Sequence, residues 1–345
     1  MDSKQKNQLL LISLARITFL SLTEKLNLLK KLDTFNDLAL LSLKDISELC
    51  GRPVRALWNG EENLRCARRE QAVIAAKKIN MVFYYEKEYP ALLRESANAP
   101  FVLFYIGNID ALCRRTVSVV GTRHVTPDAR IAAESFARDA VLNGETVVSG
   151  LAFGVDSASH KGAVDALAAY AAGRDSACLG KTVAVLPCGI DTVIPSVNRR
   201  LAEKIIMTGG ALVSEYVPGV SAERWRFVQR NRIIAALSPV TVVVQAPAGS
   251  GALITADFAL EAGRDVVFHK AAFSGSSVKL RNAVEKQLEK SFASGKISKA
   301  KFENRPEKYL ASGAAVIESY QDYCNFRKEL PGERSEKYIE QYELF

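Results

Sequence analysis

Two consecutive strand–turn–helix units between residues 116 and 156 constrain the fold more than any other stretch. Residues 116–120 are a β-branched run, Thr-Val-Ser-Val-Val, which is too short for a helix and typical of a buried parallel strand. The run stops at Gly121, and Pro127 then stands where a helix often begins. Residues 146–148 form a second such strand, and glycines again follow it. This repetition predicts a doubly wound sheet whose loops gather at the carboxyl edge.

Four later apolar runs continue the same alternation of strands and helices. They are residues 182–186, 211–214, 240–244 and 266–268, and the last of them is predicted to be the final core strand. Two short strands, at residues 82–85 and 101–106, lead into the domain. The sequence therefore predicts an α/β protein with one mostly parallel sheet that is covered on both faces.

The chain divides into regions of different composition. Residues 1–80 carry periodic leucines and predict a small all-helical module, of the SAM/HhH-like kind, ahead of a sheet domain at residues 81–325. Within that domain, residues 273–305 are polar, basic and serine-rich, which is typical of an insertion or a partly mobile segment. Residues 326–345 are predicted to be a charged tail, and no winged helix is expected.

The balance of charge favours polyanionic partners. Lys and Arg number 46 against 38 Asp and Glu, which gives a net charge of +8 and an isoelectric point near 9.1. The six cysteines are scattered without a Cys-x-x-Cys pair, which indicates reduced thiols in the cytoplasm rather than a metal site. No apolar stretch is long enough to predict a membrane span. No nucleophile has a base beside it, so we expect no catalytic residue, metal or cofactor.

The loop after the first strand, Gly121-Thr122-Arg123, suits a phosphate group. Backbone N–H groups at a helix start bind anions, and a glycine lets the ligand come close. Arg123 adds a cation that can make two parallel hydrogen bonds to a phosphate. The alternative is a tight turn with a solvated arginine. The loop lacks both the Gly-x-Gly-x-x-Gly pattern and the Walker lysine, so no dinucleotide or nucleoside-triphosphate site is predicted.

A cluster of arginines around two aromatic residues, at positions 221–232, is the second candidate site. Arginines at this spacing can bind successive phosphates while an aromatic ring stacks on a base. The alternative is an arginine network that ties the helix start to Glu215 and Asp191, and both roles can hold at once. The residues of the cluster that we predict to contact DNA are Arg224, Phe227, Arg230 and Arg232.

The turn Gly249-Ser250-Gly251 enters another predicted helix and is the third candidate site. We expect Ser250 and Gly251 to belong to a second anion-binding turn, and an ordinary helix start is the alternative. His160, four residues after Asp156, is more typical of a capping or core histidine than of a catalytic base.

Seven short motifs occur along the chain in a fixed order. They are Gly121-Thr-Arg, Ser149-Gly-Leu-Ala-x-Gly-Val-Asp-x-x-x-His160, Gly189-Ile-Asp191, Ser214-Glu215, Phe227-x-x-Arg-Asn-Arg-Ile-Ile234, Ser250-Gly-x-x-x-Thr-Ala256 and Gly263-Arg264. Each motif alone is unspecific, but the combination is very specific. Together, over residues 89–268, they resemble the DprA family of DNA-processing proteins, also called Smf.

The resemblance implies an extended Rossmann domain that binds single-stranded DNA in natural transformation. Members of this family protect incoming strands, form homodimers and help load the RecA recombinase, without enzymatic activity. Single-stranded DNA, RecA and a second copy of the chain are therefore the expected partners. The family's DNA-binding residues correspond here to Gly121, Thr122 and Arg123 in the phosphate pocket, with Asn198, Arg224 and the base-contacting Phe227.

Two other functions stay open from the sequence. Related Rossmann proteins include nucleoside-monophosphate phosphoribohydrolases, but Phe258 replaces the glutamate of their Pro-Gly-Gly-x-Gly-Thr-x-x-Glu signature. A nucleotide- or DNA-sensing defence component would share the fold. The chain also departs from the DprA pattern at Ile194, Val228 and Gln245, where tyrosine, proline and glutamate are usual, and these differences concern the geometry of the pocket.

Overall fold

The computed structural model describes residues 8–170 and 178–329, and a nine-stranded sheet forms its centre. The strands are β1 (Asn80–Phe83), β2 (Val102–Gly107), β3 (Thr116–Gly121), β4 (Thr146–Ser149), β5 (Thr182–Val185), β6 (Ala211–Ser214), β7 (Val240–Gln245), β8 (Asp265–His269) and β9 (Ala315–Ile317). Their spatial order is β1-β2-β6-β5-β4-β3-β7-β8-β9. β2 pairs antiparallel with β1 and with β6, and all other neighbours pair parallel. The predicted α/β architecture with a mostly parallel sheet is therefore confirmed.

From residue 8, where the described part begins, five helices precede the sheet and form the N-terminal helical module. They are α1 (Gln8–Arg16), α2 (Leu22–Lys31), α3 (Phe35–Leu40), α4 (Leu43–Cys50) and α5 (Gly60–Ala76). Ser21, Thr34 and Ser42 begin α2, α3 and α4 with capping boxes, which satisfy the free N–H groups of short helices. These caps explain why the polar positions between the leucine clusters start new helices.

The helical module packs directly against the sheet domain. Leu10 and Leu28 of the module belong to the same hydrophobic core as Phe104 of β2 and Leu212 of β6. The Lys25 ammonium lies 5.8 Å from the centre of the Phe101 ring, and burial lowers the pKa of Lys25 to about 8. Apolar contact across this boundary makes the module a cover for the antiparallel end of the sheet.

Ten further helices of the described ranges cover or extend the sheet. They are α6 (Ala91–Arg94), α7 (Pro127–Leu142), α8 (Val155–Tyr170), α9 (Arg199–Met207), α10 (Arg224–Ala236), α11 (Gly251–Glu261), α12 (Gly275–Ala293), α13 (Lys299–Glu303), α14 (Pro306–Ala311) and α15 (Tyr320–Glu329). Helices α7 and α8 share one hydrophobic core with the sheet, and α10 and α11 share another. Among the described residues, no helix combines the length and the apolar character needed to cross a membrane.

The strand order reverses direction between β3 and β7. From β3 the chain builds β4, β5 and β6 on one side of the sheet, and then returns to place β7 and β8 on the other side. Ligands of open α/β sheets bind at such a switch point, outside the carboxyl ends of the strands. The loops after β3 and β7, which the sequence identifies as anion-binding turns, therefore meet at the expected place.

The C-terminal part of the sheet domain differs from the sequence prediction. β9 follows β8 in the sheet, so residues 266–268 are not the last core strand. Residues 273–305, predicted as an insertion or partly mobile segment, contain the helices α12 and α13. The predicted tail at 326–345 begins inside α15, and residues 330–345 lie outside the described part.

Helix α15 is held to the sheet by one buried carboxylate. Glu145, just before β4, is fully buried and accepts hydrogen bonds from the Tyr320 and Tyr323 hydroxyls at 2.8 and 2.9 Å. Arg327 Nη1 donates to the same carboxylate at 2.8 Å. A buried charge is tolerated when it is paired and hydrogen-bonded. Glu145 therefore anchors α15 beside α7.

Candidate nucleic-acid interface

The turn after β3 is locked by its neighbours. A side chain at Gly121 would overlap Val155 of α8, so only glycine fits there. Thr122 N donates to the Gln245 carbonyl at 2.7 Å, and Val155 N donates to the Thr122 carbonyl at 3.2 Å. These bonds fix the backbone between β3, β7 and α8. As a result Thr122 is nearly buried, while Arg123 is exposed to solvent.

Arg123 lies on an aromatic ring at the switch point. Its guanidinium carbon is 4.8 Å from the centre of the Phe227 ring of α10, within the range of a cation–π contact. Arg224, three residues before Phe227, shares that face of α10 and is exposed. Neither arginine forms a salt bridge with a residue that the structure describes. The structure thus brings Arg123 and Phe227 together, and Arg224 lies three residues before Phe227 on the same helix.

Asn198 borders the same region from the other side. It precedes α9, and its Nδ2 donates to the Leu151 carbonyl at 2.9 Å. Leu151 is buried and has a φ of +57°, a left-handed conformation that a leucine rarely adopts. Such strain is concentrated at functional loops. Asn198 and Arg123 both line one cleft at this edge of the sheet.

Arg230 does not lie at the surface, in contrast to the sequence prediction. Only 3% of the residue is exposed, and its Nη1 donates to the carbonyls of Gly150, at 2.7 Å, and Val185. A side chain at Gly150 would overlap the guanidinium, so this glycine makes room for the arginine. Arg230 therefore connects the ends of β4 and β5 inside the protein. For this reason we leave it out of the proposed DNA contacts.

Two further titratable groups lie in this buried layer. Burial raises the pKa of the Asp156 carboxyl, and the Arg230 charge counteracts part of that rise. His160 is fully buried, with Nδ1 2.7 Å from Thr182 Oγ1. Burial lowers the pKa of His160 to about 3, so the ring is neutral. The structure places His160 in the core, the reading that the sequence favoured over a catalytic base.

Arg232 also has structural contacts within the protein. It pairs with Glu215 at the end of β6, and its Nη1 donates to the Asn98 carbonyl at 2.7 Å. Glu215 is mostly buried, and burial raises the pKa of its carboxyl while Arg232 opposes that rise. The alternative of an arginine network tied to Glu215 therefore describes Arg232, and we also leave this residue out of the proposed contacts.

The second turn, after β7, is partly covered. Gly249 N donates to the Asn304 carbonyl at 2.8 Å, so one N–H of the predicted anion site is already used. Asn231 Nδ2 of α10 donates to the Gly251 carbonyl at 3.3 Å, which brings this turn next to the helix that carries Phe227. Gly251 is exposed, and a Cβ there would meet nothing within 4 Å. Only the Gly251 end of the turn is open to a ligand.

The cleft beside Arg123 has a volume of about 970 Å³ and contains cations that the sequence analysis did not identify. Arg130 of α7 and Arg200 and Lys204 of α9 line it. Arg200 and Lys204 are one helical turn apart, a spacing visible in the sequence, but Arg130 lies seventy residues earlier. Only the fold brings the three residues together.

Comparisons with known proteins agree with this geometry. Residues 80–328 match the family model described as DNA recombination-mediator protein A. The protein Smf of Borreliella burgdorferi is 30% identical over 273 residues, 79% of this chain and 82% of the relative. The DNA processing protein DprA of Bacillus subtilis is 31% identical over 275 residues, with 79% and 78% covered.

A solved structure extends the match to nearly the whole chain. The DNA processing protein A of Streptococcus pneumoniae superposes with a TM-score of 0.64 at 27% identity, over 93% of this chain and 98% of that one. The family model covers well over half of the chain. The chain therefore belongs to the DNA recombination-mediator protein A family, whose members are named DprA or Smf.

Proposed function

We propose that this protein binds single-stranded DNA at the β3–β7 switch point and protects it during natural transformation. The observation that carries the proposal is the exposed Arg123 guanidinium on the Phe227 ring, at the place where this fold binds ligands. Relatives with the same domain are named DNA processing proteins, which supports DNA as the ligand. In this role the protein acts as a binding protein, without catalysis.

Each side chain has a distinct part in the proposed complex. Arg123 and Arg224 contact phosphates, since a guanidinium makes short, charge-assisted hydrogen bonds to phosphate oxygens. Phe227 stacks on a base, a contact that accepts every base and so gives little sequence preference. Asn198 contacts the strand from the α9 side, while Gly121 and Thr122 hold the turn in place. Gly251 contacts the strand where the second turn is open, and Ser250, whose N–H donates to the Pro247 carbonyl, holds that turn in place.

Three finer parts of the proposal follow from the family. The protein forms a homodimer in the cytoplasm and delivers the bound strand to the RecA recombinase. A bound single strand becomes useful for recombination only when a recombinase replaces the protein on it. The open position of Arg123 at the sheet edge, rather than inside a channel, supports such an exchange.

Fluorescence anisotropy with labelled oligonucleotides of one sequence tests the proposal. At the same salt concentration, the single strand is expected to bind at least about tenfold more tightly than the duplex, because paired bases cannot stack on Phe227. Equal affinity for both forms would overturn it. Light scattering with and without DNA measures the dimer, and a RecA filament-assembly assay on protein-coated DNA measures the delivery step.

A further inference from the structure

The cleft beside Arg123 continues as a groove along α8. This helix contacts both α7 and α9 and so lies between them. Four residues of α8 line the groove and lie on one face of this helix: Ser157, Ala158, Lys161 and Asp165. From Ser157 to Asp165 the groove runs for about 12 Å, at 1.5 Å per residue. One strand of duplex DNA advances about 3.4 Å per nucleotide and an extended single strand advances further, so at most about three nucleotides fit along the groove.

The charges in the groove leave an excess of cations. The two lining carboxylates, Glu134 and Asp165, both pair with Lys161, at 3.5 and 2.9 Å. Arg130, Arg200 and Lys204 are exposed and form no salt bridge with any residue of the described ranges. Cations therefore stand on both sides of the groove, one on α7 and two on α9, with no acidic partner to neutralise them.

The mouth of the groove joins the site at the sheet edge. Arg123 and Asn198 line the groove together with Phe153 and Val197, whose side chains are 51% and 69% exposed. Gly154 packs its backbone against the Arg123 carbonyl and has a φ of +83°, so only glycine fits at this junction. Surfaces that bind single-stranded nucleic acid combine cations with exposed aromatic side chains, and Phe153 lies next to the cations of this groove.

We propose that the groove between α7 and α9 is a second phosphate-binding subsite, which holds the nucleotides that flank the base stacked on Phe227. The inference rests on the proposed function, since it extends the path of the same strand. Arg130, Arg200 and Lys204 contact successive phosphates, and Phe153 offers an apolar surface to a base at the mouth. The subsite raises affinity only for strands long enough to reach it.

A comparison of oligonucleotide lengths tests the subsite. The test variant is Arg130→Gln/Arg200→Gln/Lys204→Gln. The matched control, Arg55→Gln/Arg68→Gln/Arg69→Gln, removes three exposed charges from the helical module. Anisotropy is measured with oligothymidylates of about 2 nucleotides, which cover Phe227 without filling the groove, and of about 15 nucleotides, which span both sites. For the longer oligonucleotide the test variant should lose at least about tenfold in affinity, and its plot of log affinity against log salt should flatten by about two.

The outcomes separate the subsite from the site at Arg123. Loss for the long oligonucleotide with a change of less than about twofold for the short one supports the subsite. Equal loss for both lengths, no loss for either, or an equal loss in the control variant would overturn it. If the unmodified protein binds neither oligonucleotide, the proposed function itself fails. The double variant Arg200→Gln/Lys204→Gln, which should show about two thirds of the change in slope, repeats the test on one helix.

Discussion

Two layers of arginine lie at the carboxyl edge of the sheet, and they differ in what they contact. In the outer layer, Arg123 rests on Phe227 and faces solvent without a salt bridge to any described residue. In the inner layer, Arg230 is buried and donates to the carbonyls of Gly150 and Val185. Phe227 and Arg230 belong to one motif, three residues apart on α10. The same helix therefore supplies Phe227 to the proposed binding surface and Arg230 to the core.

The comparison shows that the role of an arginine at this edge of the sheet depends on the hydrogen-bond acceptors around its guanidinium. The Gly150 and Val185 carbonyl oxygens are buried acceptors, and the buried Arg230 guanidinium satisfies both of them. A solvent-facing guanidinium keeps its donors for a ligand. The two layers should therefore respond differently to substitution, the inner one in stability and the outer one in affinity.

The largest expected effect belongs to the inner layer. Arg230→Met should lower the free energy of unfolding by about 3–5 kcal/mol, because two buried carbonyls and the buried Asp156 carboxylate lose their cation. Chemical denaturation measures it. The double variant Arg230→Met/Asp156→Asn should recover part of the loss, since it removes the uncompensated charge. Unchanged stability together with a flatter salt dependence of DNA binding would make Arg230 a DNA contact after all.

The outer layer should give the second effect. Arg123→Ala is expected to weaken single-strand binding by about 1–3 kcal/mol, as for other hydrogen bonds to a charged group. The plot of log affinity against log salt should flatten by about 0.7, because one fewer counterion-releasing contact is made. Arg224→Ala should behave in the same way, and Arg68→Ala, on the exposed face of α5, is the control.

The melting temperature separates this from the opposite assignment. Burial raises the pKa of Asp156, and the Arg230 and Arg123 charges oppose that rise, so the opposite assignment makes Arg123 a structural partner of Asp156. A structural Arg123 would lower the melting temperature by several degrees when removed and would leave the salt slope unchanged. Contact with DNA predicts an unchanged melting temperature and a flatter slope.

The third expected effect is a decrease in the free energy of unfolding at acidic pH, caused by the buried His160. His160 has a pKa of about 3 in the folded protein and about 6.5 when unfolded, so the unfolded state binds the proton more tightly. The contribution of neutral His160 to the free energy of unfolding is complete well above pH 6.5 and decreases as the pH falls towards 3. At pH 5.5 the decrease amounts to about 1.4 kcal/mol. Denaturation curves at pH 7.5 and 5.5 should show this decline in the protein and not in His160→Gln.

Two details make the pH experiment interpretable. The buried carboxyls of Asp156 and Glu215 have raised pKa values, so they act in the opposite direction and are present in both proteins. The difference between protein and variant therefore isolates His160. His124→Gln, at an exposed position on the outer layer, serves as the control. A pH dependence that persists in His160→Gln would assign it to other groups.

The sequence predicted the central strands because buried parallel strands are continuous β-branched runs. β9 was not predicted, since it has three residues and only Ile317 of them is buried. The sequence predicts an insertion or a partly mobile segment in place of helix α12, because just one of the 19 residues of this helix, Ser277, is buried. Such a helix lacks the apolar stripe from which helical periodicity is read.

The candidate site was predictable where one motif carries it and unpredictable where several elements meet. Arg123 and Phe227 belong to short motifs that can be read directly from the chain. The burial of Arg230 depends on carbonyls at the ends of β4 and β5. The sequence around Arg230 does not predict these two hydrogen bonds. The groove cations Arg130 and Arg200 come from different helices, so their proximity is a property of the fold alone.

The smallest expected effect concerns the turn after β7, and it extends the comparison of open and occupied groups to the backbone. Gly251 is exposed, begins α11 and would admit a Cβ without contact within 4 Å, whereas the neighbouring Gly249 N–H is already bonded to Asn304. Gly251→Ala should therefore raise the free energy of unfolding by about 0.5 kcal/mol, because alanine favours the helix.

If the strand passes close to Gly251, the added methyl group should weaken single-strand binding by less than about 1 kcal/mol, since the strand can shift to relieve the contact. Gly275→Ala is the matched control, because Gly275 also begins a helix and a Cβ there also meets nothing within 4 Å. Both variants should gain similar stability, and only Gly251→Ala should lose affinity in anisotropy titrations. Equal affinity in the two variants would remove the second turn from the binding site and leave the Arg123 side of the switch point as the DNA-binding surface.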